Sequence, residues 1–135
     1  MEYSPHVLMV NATPLEREKI KALSDDFHAR VEFVETPSEA LHRLALSNNF
    51  DAVFLGVEAP NQEYRQVLAA VRHRRPPTAV VVISPVDDVP FYLTCLHHGV
   101  FDYIPRPVDW TEFRRIYALA LQGKPAGMAA RAQSA

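Results

Sequence analysis

Apolar and polar positions along the chain follow two periods. Continuous apolar runs occur from His6 to Val10, Val31 to Val34, Val53 to Leu55, Ala79 to Ile83 and Asp102 to Ile104. Between them, apolar residues recur every three or four positions. The first pattern predicts buried strands and the second amphipathic helices. Leu15, Ile20, Leu23 and Phe27 mark the inner face of a first helix, with Glu16, Arg17, Glu18 and Lys19 outside. Ala40, Leu41, Leu44 and Ala45 mark a second, and Tyr64, Val67, Leu68 and Val71 a third. Phe91, Tyr92, Leu93, Cys95 and Leu96 mark a fourth, and Trp110, Phe113, Ile116, Tyr117 and Ala120 a fifth.

Local signals place the boundaries. Thr13 caps the first helix ahead of Pro14, whose missing N–H costs nothing in a first turn. Thr36-Pro37-Ser38-Glu39 and Asp109 with Glu112 have the spacing of capping boxes. Breaks are expected at Ser47-Asn48-Asn49, Gly56 to Pro60, Pro76-Pro77, Ser84-Pro85, Gly99 and Pro105-Arg106-Pro107. Asp87 and Asp88 lead into the fourth helix. The order is strand then helix, five times over. Such alternation implies a parallel sheet covered by helices on both faces. Ala79 to Ile83, the most β-branched run, belongs in its middle.

At 135 residues the chain is one domain by length. Residues 1–121 form it, and residues 122–135, rich in small and polar residues, read as a flexible tail or linker. Hydrophobic residues make up 48% and charged residues 22%, enough for one core. A net charge of −2 argues against direct nucleic-acid binding. The basic run Arg72-His73-Arg74-Arg75 reads as a solvated helix end. Cys95 is alone, so no internal disulfide and no cysteine zinc site can form. No apolar run is long enough to span a membrane, and the start lacks a signal-peptide pattern. A cytoplasmic protein is expected.

In a doubly wound sheet a site is built at the carboxyl ends of the strands. Those ends carry Asn11-Ala12, Glu35-Thr36, Gly56, Ser84 and Arg106. A strand order of 2-1-3-4-5 would gather Asn11, Gly56, Ser84 and Arg106. This set, with Pro60 four residues after Gly56, Tyr103 and Arg106-Pro107, resembles the receiver domain of two-component response regulators. The resemblance runs from residue 6 to about residue 121. It implies a flavodoxin-like three-layer α/β/α fold. In that family two acidic residues at the end of strand one hold Mg²⁺, and an aspartate at the end of strand three accepts a phosphoryl group. Strand four ends in Thr or Ser, and strand five in Lys followed by a proline that is commonly cis. Matched by position, the acidic pair is Asn11 and Ala12, the acceptor is Gly56, and the hydroxyl is kept as Ser84. The lysine is Arg106, Pro107 is kept, and Tyr103 stands at the aromatic that changes rotamer on activation.

The departures share one direction. Gly56 offers no nucleophilic oxygen. Asn11 and Ala12 offer no carboxylate for Mg²⁺, so no cofactor is expected. Asp51 lies at the wrong end of its strand, and Glu58 and Ser84 are weak stand-ins. Arg106 is left to pair with Glu58 or to take an anion from solvent. The six histidines show no metal-ligand spacing, with His97-His98 read as structural. No glycine-rich phosphate loop or nucleophile elbow is present. The expectation is a degenerate receiver, not an enzyme, acting through protein–protein interaction in bacterial signalling. Its partner would be a signalling protein or effector domain, or a second copy, on the face of the fourth helix, fifth strand and fifth helix. Phe91, Tyr92, Tyr103, Trp110 and Tyr117 would mark that face, although each alone reads first as core. Two alternatives are a phospho-receiver with a substitute acceptor and a flavodoxin-like protein binding a small anion or nucleotide. An effector domain beyond residue 135 is a further possibility.

Overall fold

The computed structural model describes residues 4–47, 49–58, 62–72, 78–85 and 89–122. The expected breaks at Asn48, Pro60 and Pro76-Pro77, the entry at Asp87 and Asp88, and nearly all of the tail lie outside these residues. Five strands alternate with five helices. They are β1 (His6–Val10), α1 (Pro14–Asp26), β2 (Arg30–Val34), α2 (Pro37–Leu46) and β3 (Ala52–Gly56). α3 (Gln62–Arg72), β4 (Ala79–Ser84), α4 (Val89–His97), β5 (Asp102–Pro105) and α5 (Trp110–Gln122) follow.

All strand pairs are parallel, and the sheet order is β2-β1-β3-β4-β5. Successive side chains point to opposite faces of a strand, so each buried strand feeds two cores. Leu8, Val10, Val53, Leu55, Val80 and Val82 pack under α2, α3 and α4. Val7, Met9, Phe54, Val81, Ile83 and Ile104 pack under α1 and α5. The result is the expected three-layer flavodoxin-like architecture.

The register fixes which strand ends meet. Val10 lies beside Val34 and Leu55, Gly56 beside Ile83, and Ser84 beside Pro105. At the opposite edge the Asp51 carboxylate accepts from the His6 backbone N–H at 2.8 Å, which ties the starts of β1 and β3. On the outer layer, the hydroxyls of Ser24 and Tyr117 lie 2.7 Å apart and pin α1 to α5.

Two assignments from periodicity are reversed. Leu15 is 57% exposed, whereas Glu16 is 5% exposed. The helix begins at Pro14, which makes Glu16 its third residue, and a complete capping box turns that carboxylate back over the helix start. In α2 the Thr36 hydroxyl accepts from the Glu39 backbone N–H, and the Glu39 carboxylate returns to the hydroxyl instead of the backbone.

Candidate functional site

Asn11 ends β1 in the left-handed region, at φ 58°. Asparagine tolerates that conformation better than most residues. Its N–H donates to the Val34 carbonyl at 2.9 Å, and its side-chain amide donates to the Gly56 carbonyl at 3.3 Å. The ends of β1 and β3 therefore close on each other. A Cβ at Gly56 would lie 2.6 Å from the Asn11 carbonyl oxygen and 2.8 Å from that of Val10. It would also lie 2.8 Å from Nη2 of Arg106. Glycine is required here by close approach of backbone, the use to which its missing side chain suits it.

Arg106 fills the space beside Gly56. Its Nε donates to Glu16 Oε2 at 2.9 Å, and its Nη2 donates to Glu16 Oε1 at 2.8 Å. Nη2 also donates to the Asn11 carbonyl at 3.0 Å. The two side chains are only 11% and 7% exposed. Planar two-point pairing is the geometry that a guanidinium offers a carboxylate. Arg106 thus pairs with Glu16, not with Glu58, which is exposed in the loop. Its backbone N–H donates to the Ser84 carbonyl at 3.1 Å, and the Arg106–Pro107 bond is cis. Ser84 is buried at the end of β4.

From α3, buried Tyr64 reaches the Asn11 side chain. Burial raises its phenol above the ordinary range, and the nearby Glu58 charge adds to the rise. A hydrogen bond with the Asn11 side chain and the charge of Arg106 oppose it. Neither Glu16 nor Tyr64 stood out from the sequence as a site residue. The Thr13-x-x-Glu16 spacing was the available signal for the first, since a capping box directs that carboxylate toward the strand ends.

Asn11, Gly56, Ser84 and Arg106 are therefore brought together as the strand order required, with Ala12 half-buried beside them. Among the described residues no group of three His, Cys, Asp or Glu could hold a metal ion. A groove of about 440 Å³ lies outside the Glu16–Arg106 pair, lined by Thr13, Leu15, Pro85, Pro107, Val108 and Trp110.

The aromatic residues expected to form one surface do not. Phe91 and Tyr117 are 1% and 0% exposed and belong to the core. Tyr92 and Tyr103 are half-buried and meet edge-on, with ring centres 5.6 Å apart, on the α4 side of the sheet. Trp110 packs on Phe113 on the α5 side. The split follows from α4 and α5 covering opposite faces of the sheet. The apolar groups that α4 does expose are Val89 and Leu93, 64% and 55% accessible and one turn apart.

The parallel order β2-β1-β3-β4-β5, with the ends of β1, β3, β4 and β5 at one edge, defines a doubly wound flavodoxin-like α/β domain. Residues 7–118 match the family model described as the response regulator receiver domain, and the chain belongs to that family. It is 31% identical over 116 residues to the two-component response regulator ORR8 of Oryza sativa subsp. indica, covering 84% of this chain and 95% of that one. It is 34% identical over 76 residues to the response regulator ArlR of Staphylococcus haemolyticus, spanning 56% of this chain and 34% of ArlR. Among solved structures, a CheY-like response regulator receiver domain protein from Methanospirillum hungatei superposes with a TM-score of 0.77 at 17% identity. That match covers 90% of this chain and 96% of the other. A signal receiver domain from Clostridium thermocellum gives a TM-score of 0.76 at 22% identity, covering 89% and 99% of the two chains. Among the described residues no helix is long and apolar enough to cross a membrane.

Proposed function

We propose that this receiver domain works without a phosphoryl group at position 56, as a cytoplasmic protein-interaction module of two-component signalling and not as an enzyme. The observation that carries this reading is the pairing of Arg106 with Glu16 in the space beside Gly56. Phosphoryl transfer to a protein needs a nucleophile and stabilisation of the transferring charge. Position 56 supplies no nucleophile, Asn11 and Ala12 supply no carboxylate for Mg²⁺, and Arg106 already has an internal anion in Glu16. The same pairing counts against a small-anion site, because Glu16 would compete with any incoming anion.

The interaction face that fits this role is the outer face of α4, centred on exposed Val89 and Leu93 with Tyr92 beside them. A signalling partner or a second copy of the chain would cover these apolar groups. Without phosphate to bias two conformations, partner binding is what selects the state. Incubation with acetyl phosphate and Mg²⁺, followed by intact mass measurement, tests the central claim. No mass gain is expected, and a stable gain of one phosphoryl group refutes it.

A further inference from the structure

We propose that the α3–α4 layer carries a docking site for an acidic segment of a protein partner, received by Arg65, Arg72, His97 and His98. The site lies away from the strand-end pocket, so it stands independently of the phosphate question. Arg65 and Arg72 are seven residues apart on α3, both exposed, and so lie on one face of the helix. α3 and α4 cover the same face of the sheet, and both run down to its amino-terminal edge. His97 and His98 end α4 there, with ring centres 5.9 Å apart. Arg72 and His97, the last residues of their helices, therefore lie at the same edge, with His98 next to His97 and Arg65 two turns back along α3. Burial lowers the pKa of His98 first, and the charges of Arg72, His97 and Arg65 lower it further.

Arg43, Arg106, Arg114 and Arg115 each meet a carboxylate. Among the described residues, Arg65 and Arg72 do not, a condition they share with Arg17, Lys19, Lys21 and Arg30. A solvated helix end explains part of the pattern, since Arg72 and His97 complement the negative ends of their helix dipoles. It does not explain Arg65, which sits near the amino end of α3, where the dipole disfavours a cation. Two exposed arginines on one helix face, with no carboxylate partner among the described residues, are what an anionic partner would satisfy.

The chemistry favours carboxylates over a nucleic acid. The chain as a whole carries −2, whereas binders of a phosphate backbone show a basic excess. Two of the four groups are imidazoles, one of them held toward its neutral form, and these serve as hydrogen-bond donors to single carboxylates. Seven helical residues set Arg65 and Arg72 about 10 Å apart along the axis, which roughly three residues of extended peptide would span.

Fluorescence anisotropy of a labelled decaglutamate peptide, titrated with the full chain at low salt, tests the proposal. Saturable binding is expected, lost in about 0.5 M NaCl through screening. Arg65→Ala with Arg72→Ala should weaken it about tenfold or more, while Arg114→Ala, on the other face of the sheet, leaves it unchanged. Absence of saturable binding, or equal affinity in the Arg65/Arg72 double variant, overturns the proposal. So does tighter binding of a short oligothymidylate or of phosphatidylserine vesicles than of the peptide.

Discussion

The guanidinium of Arg106, at the end of β5, and the carboxylate of Glu16, in the first turn of α1, form a two-point ion pair with contacts of 2.9 and 2.8 Å. It joins elements ninety residues apart in the chain. Removing one partner of a buried pair strands the other charge, at a cost of about 3–5 kcal/mol. Glu16→Gln and Arg106→Ala should each lower stability by amounts in that range, read from urea unfolding. The Glu16→Leu/Arg106→Leu double variant should lose clearly less than the sum of its single variants. Additive losses would show that the pair is not coupled.

Gly56 is expected to be intolerant of any side chain. Gly56→Ala should cost roughly 1–3 kcal/mol through overpacking against the Val10 and Asn11 carbonyls. Gly56→Asp should cost more, because its carboxylate must displace Arg106 from Glu16. Chemical denaturation checks both, and an unchanged midpoint for Gly56→Ala would contradict the close approach.

Tyr117 and Ser24 share a buried hydrogen bond between α5 and α1. Burial pushes the Tyr117 phenol up, and the bond to Ser24 offsets part of that rise. Tyr117→Phe leaves the Ser24 hydroxyl without this partner and should cost about 1–2 kcal/mol. Adding Ser24→Ala should cost little more, because the orphaned group is then gone. A thermal-melt series of the three variants measures the coupling.

Glu32 governs part of the acid response. Its hydrogen bonds to Arg43, at 2.8 and 2.9 Å, hold its pKa below the ordinary glutamate value against the opposing effect of burial. The charges of Arg43 and His6 lower it further. A carboxylate depressed on folding contributes stability above its unfolded pKa and loses it as pH falls through the folded value. Glu32→Gln should therefore lower stability at neutral pH and flatten the decline on the acid limb. Parallel curves of wild type and variant below the ordinary glutamate range would show that the pair contributes nothing.

Cys95 is fully buried in α4, and desolvation pushes its thiol up to about 12. The thiolate is the reactive form. Native protein at pH 8 should resist thiol-specific reagents, and urea-unfolded protein should react at once. Rapid labelling of the native chain would mean that α4 opens locally.

The elements were legible because strand and helix periods are local properties, and Pro, Gly and Thr caps punctuate them. Val67, Leu68 and Val71 lie inside α3 as their spacing requires, and Asp51 sits at the starts of the strands. Glu16 was not legible in this way. A 3.6-residue period assigns it to solvent; the Thr13-x-x-Glu16 capping box turns it back over the helix start, and Arg106, distant in sequence, completes its pairing. The aromatic surface failed for a related reason. Counting Phe91, Tyr92, Trp110 and Tyr117 together ignores that α4 and α5 lie on opposite sides of the sheet. Residue type locates an aromatic in an element; topology decides which of them are neighbours.

The approach of Asn11 to Gly56 also bears on what a side chain there would demand of its surroundings. A carboxylate placed at position 56 meets two main-chain carbonyls and a guanidinium already paired with Glu16. Room for it requires the turn after β1 to open, which touches Asn11 and Ala12, and requires α1 to release Arg106, which touches Glu16. The glycine, the turn after β1 and the buried ion pair thus form one packed unit, tying β1, β3, β5 and α1 together at the strand ends.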